Sequence, residues 1–217
     1  MNKSLLSLLI FAALLFSIAC DENTSSKTNS NSTAEIKKGI APVADAEVAV
    51  IELENAAAFG TIKIELYSNI APKMVARFKE LAKEGVYNGV SFHRINQSVI
   101  QTGDPLSKDN NPTNDGQGNS DKPNVPAEFS DIPYDTAIVG AARGTDNNSA
   151  NSQFFITLKR ETGFDNRYTI FGKVIEGMGN VKTIAGTPTD KTNPNPAMKE
   201  RPLDDVRIKQ ITIQPRQ

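Results

Sequence analysis

What most constrains this chain is the length and spacing of its apolar runs. They are short, keep the period of a strand rather than a helix, and are broken repeatedly by Gly, Pro and Asn clusters. EVAVIEL (47–53) and GTIKIELY (60–67) predict the two strands of a hairpin, joined across Asn55 to Phe59. Further strands are expected at 90–95, 98–102, 137–142, 153–158, 168–174 and 203–213. Two helices interrupt them. APKMVARFKELAKEG (71–85) has Pro72 in its first turn, an apolar stripe of Val75, Phe78, Leu81 and Ala82, and Gly85 placed to end it. A shorter helix is expected near 177–184. There is no regular βαβ alternation and no internal repeat, so the pattern predicts a mainly β fold, an antiparallel barrel or sandwich.

The N-terminal part follows other rules. Lys3 and the apolar run Leu5–Ile18, too short for an ordinary spanning helix, mark residues 1–19 as a signal peptide. Cys20, the only cysteine, follows at once. One cysteine makes no internal disulfide, and with a single histidine there is no Cys/His cluster for zinc. "SIAC" resembles the lipidation signal of bacterial lipoproteins, although Ser17 stands where that signal usually carries leucine. Ordinary cleavage beside an incidental cysteine is the alternative. From Cys20 to residue 45 the chain is rich in Ser, Thr, Asn and charge, which predicts a flexible tether. Residues 46–217 remain as one domain, long enough for a substantial core. The net charge is −1 with both signs mixed along the chain, which gives neither a nucleic-acid nor an electrostatic membrane footprint. Membrane attachment is therefore expected only through lipid on Cys20, with the protein exported and held in the cell envelope.

Three stretches carry the chemistry: GVSFHRINQSVIQTGDP, AIVGAARGTDNNSANSQFFITL and FDNRYTIFGKVIEGM. In order and spacing they resemble the cyclophilins, the cyclosporin-binding family of peptidyl-prolyl isomerases. The resemblance runs from about Glu47 to the C-terminus and includes VPAEF (125–129). It implies a closed eight-stranded antiparallel barrel capped by two α-helices, with the active site in a groove on its outside. Carried over residue by residue, it makes Arg94 the catalytic arginine and Gln101 the glutamine that contacts the substrate backbone. Phe155 becomes the floor of the proline pocket, with Gln153 beside it. Ala142 and Arg143 become the edge that pairs with the substrate main chain, and Phe164 and Tyr168 take pocket positions usually held by leucine and histidine. The implied ligand is a proline-containing polypeptide bound by a monomer, with no cofactor and no metal.

The residue types suit that chemistry. Rotating an X–Pro bond needs no nucleophile and no proton shuttle; it needs an apolar grip on the ring and a fixed donor for the twisted amide, whose nitrogen lone pair is freed from resonance. An arginine supplies that donor without titrating. His93, the only histidine, is expected on the face opposite Arg94 by strand alternation, as a packed, hydrogen-bonded structural residue.

The chain also departs from the family. The segment INQSVIQ is one residue short, which puts Ser98 where a pocket phenylalanine is expected and Val99 at the adjacent apolar position. Gly163 stands where some members carry tryptophan, so cyclosporin is expected to bind weakly. An active isomerase and a proline-peptide-binding, chaperone-like module with little turnover are both compatible with these changes. The polar stretch 105–124 is expected to be a solvated loop. Asn111, Thr113, Asp115 and Gly116 loosely imitate a calcium loop, but Lys122 occupies its twelfth position.

Overall fold

In the computed structural model the described residues are 34–217 apart from Asn110 and Ala197. The expected signal peptide and the expected lipidation at Cys20 lie outside them. Strands β1 (Glu47–Leu53) and β2 (Thr61–Leu66) form the expected hairpin, its connection containing the single-turn helix α1 (Ala56–Phe59). Helix α2 (Pro72–Lys83) follows, then β3 (Arg94–Ile95), β4 (Val99–Thr102), β5 (Ile138–Ala141), β6 (Phe154–Thr157), β7 (Ile170–Glu176), α3 (Met178–Ala185) and β8 (Ile208–Pro215). All eight strands belong to one antiparallel sheet in the order β3-β4-β6-β5-β7-β2-β1-β8.

The sheet is curled into a half-barrel, so the implied "closed" barrel is too strong a description. No ladder joins β3 to β8. The segment before β3 meets the start of β8 and the residues leading into it: Phe92 donates to the Val206 carbonyl at 2.9 Å, and Ile208 to that of Val90 at 2.8 Å.

Strand alternation divides the apolar residues between two faces. Ile51, Ile64, Ile100, Val139, Phe154, Ile156 and Phe171 point inward and pack against Val75, Phe78 and Leu81 of α2 and Val181 and Ile184 of α3. This is the main core. Outward, Val99, Ile138, Phe155 and Ile170 join Tyr67, Ile70 and Tyr134 in a second buried cluster. The two phenylalanines of SQFF thus go to opposite faces, Phe154 to the core and Phe155 to the outer cluster.

Helix α2 ends at Gly85 with φ of +70°, as its sequence requires. Its start is capped from far away. Ala71 offers no side-chain oxygen, and Glu128 of VPAEF accepts from the amides of Lys73 and Met74 at 3.2 and 3.0 Å. A carboxylate there meets both the orphan donors and the positive end of the helix dipole.

The expected tether ends earlier than its composition suggests. Residues 34–45 are docked on the domain. Lys37 bridges to Ser130 and exchanges main-chain bonds with Phe129 and Asp131 at 2.9 and 3.0 Å. Val43 donates to Asn69, and Asp45 holds Ser68 and Lys79. Ala44 packs against the outer cluster. Polar composition alone does not reveal this, because the contacts run to remote segments of the chain.

Candidate active site

The register of three neighbouring ladders builds the site. Arg94 on β3 is opposite Gln101 on β4, Gln101 is opposite Phe155 on β6, and Phe155 is opposite Gly140 on β5. One row thus runs from a guanidinium through an amide to an aromatic ring on the outer face. A groove with a cavity of about 410 Å³ lies over this row, lined by Arg94, Val99, Gln101, Ala142, Arg143, Phe155, Phe164 and Tyr168 among others.

Its floor is aromatic. Phe155 is 4% exposed, and its ring is 5.5 Å from that of Phe164 and 5.6 Å from that of Tyr168, both edge-on. Tyr134 stacks against it at 5.8 Å, a buried support with no sequence signal. Gly140 makes room for the ring: a Cβ there would lie 2.5 Å from Phe155 Cζ and 2.7 Å from Tyr134 Oη. Arg143 lies over the Tyr168 ring at 4.8 Å and donates to the Arg167 carbonyl, which stiffens that edge.

The polar side is a chain of hydrogen bonds. Arg94 NH1 reaches Gln101 Oε1 at 3.4 Å, and Gln101 Nε2 donates to Gln153 Oε1 at 3.0 Å. Gln153 then donates to the carbonyls of Gly116 and Gly118 at 3.1 and 2.8 Å, fastening that loop to the strand. The arrangement can hold a small apolar ring against Phe155 while a permanently charged, multi-pronged donor stands across from it. Such fixed donors act on charge or lone-pair density that develops only in a transition state.

Ser98 is not brought into the groove. It lies in the turn before β4, where Asn96 Oδ1 accepts from the amides of Ser98 and Val99 at 2.8 and 3.0 Å. Its side chain reaches Glu161, whose carboxyl it helps hold below the usual carboxylate range. Val99 is the residue that lines the pocket, 2% exposed. The short segment is absorbed in this turn, and β4 resumes in register at Val99.

His93 also differs from expectation. It lines the same groove as Arg94, because β3 begins only at Arg94 and strand alternation does not reach back to it. It is buried, and its ring nitrogens have no partner beyond a weak contact with the Ser91 backbone. Burial, opposed by Asp104 and reinforced by Arg94 and Arg201, pushes its pKa down to about 4, so the imidazole is neutral.

The stretch expected to be a solvated loop forms a wall. Pro112, Thr113, Asp115, Gly116 and Gln117 line the groove, and Asn111 is occupied in a local turn with Thr113. Met198, Glu200 and Arg201, from the connection between α3 and β8, complete the lining. Neither wall was signalled in the sequence, since polar loops carry no period.

A curled antiparallel sheet carrying its groove on the outer face, floored by a strand phenylalanine, defines the cyclophilin class. The family model for "Cyclophilin type peptidyl-prolyl cis-trans isomerase/CLD" matches residues 50–213, and the chain belongs to this family. A probable peptidyl-prolyl cis-trans isomerase of Brucella suis biovar 1 is 43% identical over 130 residues, covering 58% of this chain and 66% of its own length. This chain therefore spans slightly less than two thirds of that relative. Peptidyl-prolyl cis-trans isomerase-like 3 of Gallus gallus is 36% identical over 156 residues, covering 71% and 90%. The crystal structure of a Cryptosporidium parvum cyclophilin-type isomerase in the presence of the dipeptide Ala-Pro superposes with a TM-score of 0.66 at 28% identity, over 78% of this chain and 99% of that one.

Proposed function

We propose that this protein is an active peptidyl-prolyl cis-trans isomerase, lipid-anchored at Cys20 in the cell envelope, that assists the folding of exported proteins. The observation that carries the reading is the cross-strand row Arg94–Gln101–Phe155 under an apolar groove. The proline ring sits on Phe155, walled by Val99, Phe164 and Tyr168. Ala142 and Arg143 run along the substrate main chain, and Gln101 meets its carbonyl. Arg94 donates to the amide as it twists out of resonance, which lowers a barrier of roughly 18–20 kcal/mol. Each tenfold in rate needs only about 1.4 kcal/mol of such differential stabilisation. The similar Cryptosporidium parvum isomerase was crystallised in the presence of Ala-Pro, which supports a proline-containing ligand here.

The test is a protease-coupled assay on cis Ala-Pro peptides with the full chain in detergent. Turnover is expected, and Arg94→Ala is expected to lower kcat/KM by roughly 10²-fold, the cost of one preorganised donor. Its melting temperature should be unchanged, because the arginine is half exposed. An inactive wild type that still binds proline peptides would establish the binding-module reading instead. Mass spectrometry of the mature N-terminus tests the anchor: acylated Cys20 is expected, and an unmodified start elsewhere overturns it.

A further inference from the structure

Arg94 is held at a second point, by a residue of the distant connection between α3 and β8. Its Nε donates to Glu200 Oε2 at 2.6 Å, and Glu200 Oε1 accepts from Asn96 Nδ2 at 3.1 Å. Glu200 lies 106 residues along the chain, in the short turn Met198–Glu200. The next residue anchors that turn. Arg201 Nε pairs with Asp115 at 2.6 Å, its NH2 with Asp205 at 2.7 Å, and its NH1 donates to the Pro202 carbonyl at 3.2 Å. The Asp115 and Arg201 side chains are 6% and 13% exposed, so this is a protected bridge between the two loops that wall the groove.

We infer that Glu200 is a positioning residue for Arg94, delivered to the groove by the Arg201–Asp115 bridge. The inference rests on the isomerase reading above. The Arg94–Glu200 pair is 48% and 33% exposed, and an ion pair that open to solvent contributes little to stability. Its consequence is orientation. An arginine side chain has several free torsions, and Gln101 holds NH1 only at 3.4 Å. Fixing Nε to a carboxylate that Asn96 itself steadies sets the plane of the guanidinium. Its NH2 makes no hydrogen bond among the described residues and stays available to substrate. Holding a donor in its reactive geometry before substrate arrives lowers the barrier without new contacts. The carboxylate also offsets part of the positive charge, so a merely masking role predicts the opposite kinetic result.

The experiment uses the full chain and reads two things, steady-state kinetics and the Arg94 Nε–H resonance in a proton–nitrogen spectrum. Glu200→Ala should lower kcat roughly fivefold to tenfold with little change in KM, and the Nε–H signal should broaden into fast exchange. Glu200→Gln keeps an acceptor for Nε and should recover most of the rate and the signal. Arg201→Gln should reproduce the Glu200→Ala effect, and the double variant should be no worse than either single one. A Glu200→Ala variant with unchanged or raised kcat overturns the inference, and a raised kcat identifies Glu200 as masking Arg94. An unchanged Nε–H signal in Glu200→Ala overturns it as well, and additive losses overturn the role of the bridge. The spectrum reads the contact even if the wild type shows no turnover, so failure of the isomerase reading is separable from failure of this one.

Discussion

Gln101 and Phe155 are directly paired across β4 and β6, so the polar amide and the aromatic floor of the groove share one row of the sheet. Any change that shifts this register moves both at once. A slip of one residue would send Phe155 into the core and Phe154 to the groove. The supports of this row, and of the groove around it, set four expectations.

The first concerns the shortened segment before β4. Val99→Ala removes apolar wall from the groove, about 1.5 kcal/mol for two buried methyl-sized groups. Acting on ground and transition states alike, this should raise KM for Ala-Pro peptides roughly tenfold with kcat little changed. Ser98→Phe should leave both constants unchanged, because Ser98 sits in the Asn96 turn outside the groove. Steady-state kinetics of the two variants checks this; a lowered KM in Ser98→Phe would place Ser98 at the pocket after all.

Gly140 is the second. An alanine there brings a Cβ to 2.5 Å from the Phe155 ring, and the ring cannot retreat because Tyr134 is stacked on it. Overpacking of this kind costs about 1–3 kcal/mol. Gly140→Ala should lower both the melting temperature and kcat/KM, and a crystal structure should show the Phe155 ring displaced.

The third is a pH effect. Burial holds His93 at a pKa of about 4, against its ordinary value of 6.5. Between those values the unfolded chain takes up a proton that the folded one refuses, so stability falls as pH drops from about 6.5 to about 4. The loss should approach about 3 kcal/mol at the acid end. Denaturant melts across that range should show the slope in wild type and a flatter curve in His93→Gln.

The docked segment gives the fourth. A chain starting at residue 46 instead of 34 loses the Lys37 main-chain bonds, the Asp45 contacts with Ser68 and Lys79, and the Ala44 packing against the outer cluster. Burial raises the Asp45 pKa, but Lys79 and Ser68 outweigh it and hold the carboxylate below its usual range, a sign of a formed contact. Because the same cluster carries Phe155, the shorter chain should melt earlier and bind Ala-Pro peptides less well. Differential scanning fluorimetry and the coupled assay on both chains check it.

The sequence by itself determined the elements and the short list of chemical groups. Period-two apolar runs can satisfy their backbone and bury one face only as strands, and Pro72 with Gly85 bounds α2 from local conformational preference alone. The order and spacing of three motifs, through their likeness to the cyclophilins, were enough to single out Arg94, Gln101 and Phe155. What it could not determine depends on contacts between distant segments. Strand alternation was extended to His93, but β3 turned out to be two residues long. The one-residue deficit could be absorbed at Ser98 or beyond it, and only the Asn96 turn and the β4–β6 ladder decide that Val99 faces the groove. The polar loops that wall the site, Glu128 capping α2 and Glu200 holding Arg94 have no periodic signature, because a hydrogen bond or ion pair across 54 or 106 residues leaves no trace in local composition. Local sequence chooses the backbone conformation, while the curling of the sheet chooses which distant polar groups meet.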